Sequence, residues 1–236
     1  YGNDVDIKIA EADASAMRTK YAFPLLDYAR LAEQKKVELF NLSEDVTEER
    51  QIQVNKRKIT FKIPRVLLQS DLFVNVPKLK VMRETHITCA MKNIFGCIAY
   101  PRKSIYHPFL AEAIVGINKI LRPKLNIVDG LVALGRFPVK LNLLMASADT
   151  FSTDWVAAKI VGYRPSKIKF LSLANKEGIG NSREITIVGN KIEAFQKDFP
   201  KLNNFVSRVA MPIQYSLLKT YSRISGDIIP PSIDPR

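Results

Sequence analysis

The sequence predicts an α/β fold: a mainly parallel sheet flanked by helices, with a basic hairpin at one edge and a helical C-terminal appendage. Three observations predict it. Apolar, β-prone runs alternate with segments of helical periodicity, the pattern of βαβ units. Several of those runs are short and apolar throughout, as strands covered on both faces are. Polar and charged residues collect where the runs end, as expected where ligands gather at the carboxyl ends of strands. Residues 1–190 read as the α/β domain. Residues 191–236 read as a helical extension with a proline-rich tail.

In order, Val5 to Ala10 alternates and ends at Glu11 and Asp13, which reads as a strand. Its position so near the start of the chain predicts an edge strand or missing earlier strands. A helix is expected up to Ala32, beginning near Pro24, because proline suits a first helical turn. Val37 to Leu42 is the next strand, completing a strand–helix–strand unit. Gln51 to Ile63 alternates around Asn55-Lys56-Arg57-Lys58, a hairpin with a basic turn at a sheet edge.

Leu72-Phe73-Val74 is the central strand, and Asn75 and Pro77 end it. Lys78 and Lys80 then fall in a loop. Phe109 to Leu121 is a helix with Leu110, Ala113, Ile114 and Ile117 on one face. Leu125 to Val128 is a strand ending at Asp129-Gly130, and Leu141 to Ser147 a buried strand followed by Asp149. Helices are expected over Trp155–Val161 and within Pro165–Ala174, and a last strand over Ile185–Gly189.

The chain has 236 residues, 47% of them hydrophobic, enough for a substantial core. Lys and Arg number 36 against 23 Asp and Glu, a formal net charge of +13. Such a surplus favours anionic partners: nucleic acid, acidic membrane surfaces, or phosphorylated and carboxylated small molecules. Cys89 and Cys97 match no CxxC pair, which points to a reducing cytoplasmic setting. No apolar run approaches the roughly 20 residues that span a bilayer, and no secretory signal is expected.

The candidate site follows from the strand ends. Lys78, Lys80 and Lys92 supply positive charge, and Asn75 and Asn93 supply amides. Lys92-Asn93 followed by Phe95-Gly96 joins an ammonium, an amide and a permissive backbone in one short span, which suits an oxyanion. If the strands are parallel, Asp129 and Asp149 share the rim with these residues and supply acid–base or metal-binding carboxylates. A hard divalent cation suits such carboxylates, though nothing demands one. His107 is the preferred proton carrier, ahead of His86, the other histidine. Each residue also has a plainer role: solvated loop lysine, helix cap or turn residue. No nucleotide-binding or hydrolase motif is present.

VNVPKLK, Lys92-Asn93-Ile94-Phe95-Gly96, His107, NIVDG and Asp149 to Asp154 before an apolar helix together resemble the domain of unknown function 362 family. Order and spacing agree from about Ile9 to Gly189. The resemblance implies no settled activity. Many members carry a ferredoxin-like cysteine box for iron–sulfur clusters. This chain has no such box, so no cluster is expected in it, and its cofactor is unknown. It also departs after Asp129-Gly130, where the family usually shows a glycine-rich stretch with Gly-Pro.

The resulting expectation is a cytoplasmic protein that binds an anionic small molecule at a strand-end crevice. An enzyme of redox-linked metabolism is one form this takes. The alternative is a non-catalytic binder of RNA or ribosomes that uses the basic hairpin, Arg102-Lys103 and the basic C-terminal residues. A third is a subunit for an iron–sulfur partner protein.

Overall fold

Most of the expected elements form, and the exceptions decide where the site lies. The computed structural model describes residues 5–14, 17–135, 137–196, 199 and 220. Strand β1 (Lys8–Glu11) pairs in parallel with β2 (Glu38–Asn41). Two helices, α1 (Thr19–Leu25) and α2 (Tyr28–Lys35), connect them where one was expected. Pro24 lies inside α1 rather than at a helix start. It forfeits a ladder bond, and α1 ends one residue later. Asp27, with φ 63°, then turns the chain into α2.

Strands β3 (Thr47–Val54) and β4 (Arg57–Pro64) form the expected hairpin, closed at Asn55-Lys56 with Asn55 at φ 53°. It does not lie at the edge of the main sheet. It is a separate two-stranded sheet. Its alternating Val54, Ile59, Phe61 and Ile63 are buried, and it packs on helix α5 (Leu110–Ile120). Gly116 of α5 permits that approach, since a Cβ there would meet Ile52 and Phe61 at 3.1 Å. Helix α3 (Arg65–Gln69) follows the hairpin.

The central sheet has five strands: β5 (Val74–Asn75), β6 (Lys78–Met82), β7 (His86–Thr88), β8 (Leu125–Leu134) and β9 (Pro138–Ser147). Both β5 and β6 run along one edge of β8, parallel to it. Lys78 and Lys80 are therefore strand residues, not loop lysines. Pro77 joins the two segments without breaking the edge, because its carbonyl accepts from the Asp129 amide at 2.9 Å and only its missing N–H is lost to the ladder. β7 returns antiparallel on β6, and β9 returns antiparallel on β8.

The sheet is thus mixed, and the expectation of a mainly parallel one is borne out only in part. The connections β6–β7 and β8–β9 are three residues each, too short for the crossover that a parallel neighbour needs.

Helices α4 (Ala90–Gly96) and α6 (Thr150–Ile160) pack against one face of this sheet. Leu79, Val81, Ile87, Val128 and Leu143 are buried, each such side chain contributing about 1.5–3 kcal/mol. The register puts Leu144 opposite Asp129, on the other face. That face carries exposed Val76 and Leu144, so among the described residues helices cover one side.

Helix α7 (Lys169–Lys176) closes the core beside α5 and α6. Residues 185–189 form no strand, and Val188 is exposed. Of the expected extension, α8 (Glu193–Gln196) and the buried Phe199 are described. The rest of 197–236, apart from Thr220, lies outside the described residues.

Candidate functional site

Asn75 and Asn93 come together, but they face the protein rather than a crevice. The Asn93 amide nitrogen donates to Asn75 Oδ1 at 2.8 Å. The Asn75 amide donates to Asn126 Oδ1 at 2.8 Å and to the Ala90 carbonyl at 3.2 Å. Asn126 passes the chain on to the Ser147 carbonyl at 3.1 Å. Asn75 and Asn126 are buried. Parallel pairing sets them side by side, and each inward amide needs a partner there. The chain ties α4 to β5, β8 and β9.

Lys78 and Asp129 also meet. Register pairs them across β6 and β8, and the ammonium reaches the carboxylate at 2.8 Å. Asp129 also accepts from the Leu131 amide at 3.1 Å. Its expected place at a strand end is corrected: β8 continues to Leu134.

Asp149 lies elsewhere. Because β9 is antiparallel, Ser147 pairs with Asn126 near the start of β8, and Asp149 follows at that end. It caps α6 by accepting from the Ser152 amide at 2.6 Å. Glu11 ends β1 in the separate β1–β2 sheet, and Asp13 follows two residues later. The common acidic rim assumed parallel strands and does not form.

A different grouping does form. Lys80, Lys92, His107 and Glu84 act on one another. His107 Nδ1 lies 3.7 Å from Glu84 Oε1. Burial holds His107 below its ordinary value; Glu84 opposes that, and Lys92 adds to it. Burial likewise lowers Lys92, with Glu84 resisting and Lys80 reinforcing. These residues come from β6, the β6–β7 connection, α4 and the 3-10 segment Lys103–Phe109. His86 stands apart, its ring edge-on to Tyr163 with centroids 5.2 Å apart. Glu84 carries no sequence signal: it is one carboxylate in a turn between two strands, the first of which was read as loop.

Two further groups were not singled out as sites from sequence. Asp154, in the first turns of α6, is 0% exposed and serves α4. Its Oδ2 accepts from the Met91 amide at 3.1 Å. Burial raises its carboxyl to about 7, against the Met91 and Ala90 amides and the Cys89 thiol. Cys89 is pushed well above the usual thiol range, chiefly by burial and then by Asp154.

Lys103 donates to the Asp13 carbonyl at 2.6 Å and is pushed down to about 8 by burial, with Glu11, Cys97 and Asp13 opposing. The Cys97 thiol nearby is pushed up to about 12, mainly by burial. Asp13 is held low despite its burial, because the Thr19 amide and hydroxyl and Arg18 bond its carboxylate.

No cluster of three or more His, Cys, Asp or Glu side chains suited to a metal lies among the described residues. Among those residues no helix is long and apolar enough to cross a membrane.

Comparison with known proteins bears on this arrangement. The family model described as a domain of unknown function (DUF362) matches residues 1–159. A thylakoid-associated protein of Synechocystis sp. is 27% identical over 170 residues, covering 66% of this chain and 52% of the relative. The chain thus spans about half the length of the curated relative it matches. No solved structure matches.

Proposed function

The chain belongs to the domain of unknown function family DUF362, and on that premise we propose that it binds a small phosphate- or carboxylate-bearing anion beside Lys80, Lys92 and His107. The observation that carries the reading is an uncompensated charge. Lys92 is partly buried and forms no ion pair with the described residues, while Lys80 repels it. One carboxylate, Glu84, answers two lysines and a histidine. A buried ammonium without a partner is costly, and a ligand anion would offset that cost. In this reading Lys92 and Lys80 hold the anion, and His107, oriented by Glu84, is the proton carrier. Asn75 and Asn93 hold α4 in place. Lys78 and Asp129 tie β6 to β8, and Asp149 caps α6.

Several expectations belong to this reading as options: an enzyme of redox-linked metabolism, a cytoplasmic setting, and an iron–sulfur partner protein. Cys89 and Cys97 as free thiols support a reducing compartment. That a relative is described as thylakoid-associated supports a chain that works beside a membrane.

Titration calorimetry with inorganic phosphate and with citrate tests the site. Wild-type chain should bind at least one of them, and Lys92→Met should weaken binding about tenfold or more, the loss of one charge-assisted contact. Equal binding by the variant would sink the proposal. The alternative is RNA or ribosome binding through the exposed Lys56, Arg57 and Lys58 of the hairpin. It predicts heparin and RNA binding that falls steeply with salt and ignores Lys92→Met.

A further inference from the structure

The β8–β9 hairpin carries apolar side chains that the core does not use. Leu131 is 54% exposed, Phe137 56% and Leu144 69%, with Val132 and Leu134 also exposed. They lie on or beside the sheet face that no described helix covers. The register of β8 shifts between Gly130 and Val132. Between Lys78 and Lys80 of β6, β8 spends five steps, from Asp129 to Leu134, where β6 spends two. The excess lies against β6 alone, since Val132 and Ala133 stay paired with Lys140 and Val139 of β9, and Leu131 and Val132 are exposed. Ala133 alone of the three stays buried.

Cations frame this surface. Lys140 pairs in register with Val132, and Lys80 with Leu134. Arg83 is exposed just beyond Met82, which is itself exposed.

We propose that the outer half of the β8–β9 hairpin is a docking surface for an anionic lipid bilayer, with Leu134 and Phe137 entering the interface and Lys140 engaging headgroup phosphates. Charge decides between this occupant and a second copy of the chain. The chain carries +13, so two copies repel, whereas a negatively charged bilayer attracts it. Shape agrees. The apolar residues sit on and around a turn. Large apolar side chains beside a lysine suit the boundary between headgroups and acyl chains. Solvent exposure of Leu and Phe in ones is ordinary, but five on one hairpin is a patch. Binding of this kind is peripheral and salt-sensitive.

The test is co-sedimentation of the full chain with vesicles of phosphatidylcholine, with and without phosphatidylglycerol. Binding should require phosphatidylglycerol and weaken as salt rises. Leu134→Ser with Phe137→Ser should cut vesicle binding about tenfold or more, from the lost apolar burial. Its melting temperature should stay unchanged, because both side chains are exposed. Lys140→Ser should weaken binding and flatten the salt dependence.

Three outcomes would overturn the proposal. One is absence of binding to phosphatidylglycerol vesicles. Another is equal binding by the double serine variant. The third is a concentration-dependent dimer, seen by light scattering, that the same variant abolishes, which would give the surface to a second copy. Inorganic phosphate separates this surface from the Lys92 site. The double serine variant should bind phosphate like wild type, and Lys92→Met should bind vesicles like wild type. Failure of either proposal therefore leaves the other standing.

Discussion

Asn93 donates its amide to Asn75 Oδ1 at 2.8 Å, and this bond joins the helix that carries Lys92 to the strand edge that carries Lys78 and Lys80. The helix that bears the Lys92 ammonium is therefore anchored by a partly buried side-chain amide bond. Deleting one amide strands its partner, and an unsatisfied buried polar group costs about 1–3 kcal/mol. Asn93→Ala should lose that much stability by urea denaturation, and Asn75→Ala more, since Asn75 also bonds Asn126 and Ala90. The double variant should lose less than the sum. Strict additivity would show that the two amides are not coupled.

Lys92→Met should leave stability unchanged or raise it, because a partly buried ammonium with no ion pair among the described residues is replaced by an apolar chain of similar length. The same change should raise the His107 pKa, since it removes a repelling charge. Glu84→Gln should lower it. Two-dimensional NMR titration of the imidazole reads both shifts. A His107 titration curve indifferent to both substitutions would mean that the three groups do not form one site.

The carboxyl of Asp154 should leave a signature in the pH dependence of stability. Its folded value, about 7, stands above the ordinary 3.8. Between these values the native chain holds a proton that the unfolded chain has released. Stability from this residue is thus full below about pH 4 and declines as pH rises to about 7. The loss is on the order of a few kcal/mol. Asp154→Asn keeps an oxygen for the Met91 amide and cannot ionise. Its stability between pH 4 and 7 should follow a flatter slope than wild type, measured by urea midpoints. Parallel slopes would put the ionisation elsewhere.

Gly180 packs directly on Phe151, and a Cβ there would lie 2.3 Å from the ring and 2.7 Å from the Phe151 Cβ. Phe151 is buried at the start of α6, so the ring has little room to move. Gly180→Ala should cost about 1–3 kcal/mol. Gly178→Ala tests a different constraint, since Gly178 has open space but a φ of 70°. Calorimetric melting of both variants separates crowding from backbone strain.

Much of this was legible in the sequence. The hairpin around Asn55-Lys56 followed from alternation and a turn residue, and α5 from its apolar spacing. That Lys78 and Asp129 share one side of the sheet was expected from strand ends, but they meet as paired residues inside β6 and β8. What failed was direction. Nothing in Leu141 to Ser147 says whether that strand runs with or against its neighbour; the three residues before Pro138 decide it. With β9 reversed, Asp149 falls at the far end of β8 from Leu134. Pro77 misled in another way. Its missing N–H suggested that the strand ended, yet the ladder there needs its carbonyl. A strand ended at Pro77 leaves Lys80 in a loop and gives Glu84, four residues on, no strand turn to occupy. The Lys92–His107 grouping depends on contacts among four elements, which no local pattern encodes.

The linked asparagines have a chemical consequence as well as a mechanical one. Asn75, Asn93 and Asn126 precede Val76, Ile94 and Ile127. A branched side chain at that position obstructs the ring closure through which asparagine turns into aspartate. The carboxylate that such ageing would bring into the interior is resisted by the residue that follows each amide. The fastening of α4 should therefore outlast exposed asparagines such as Asn181, which precedes a serine.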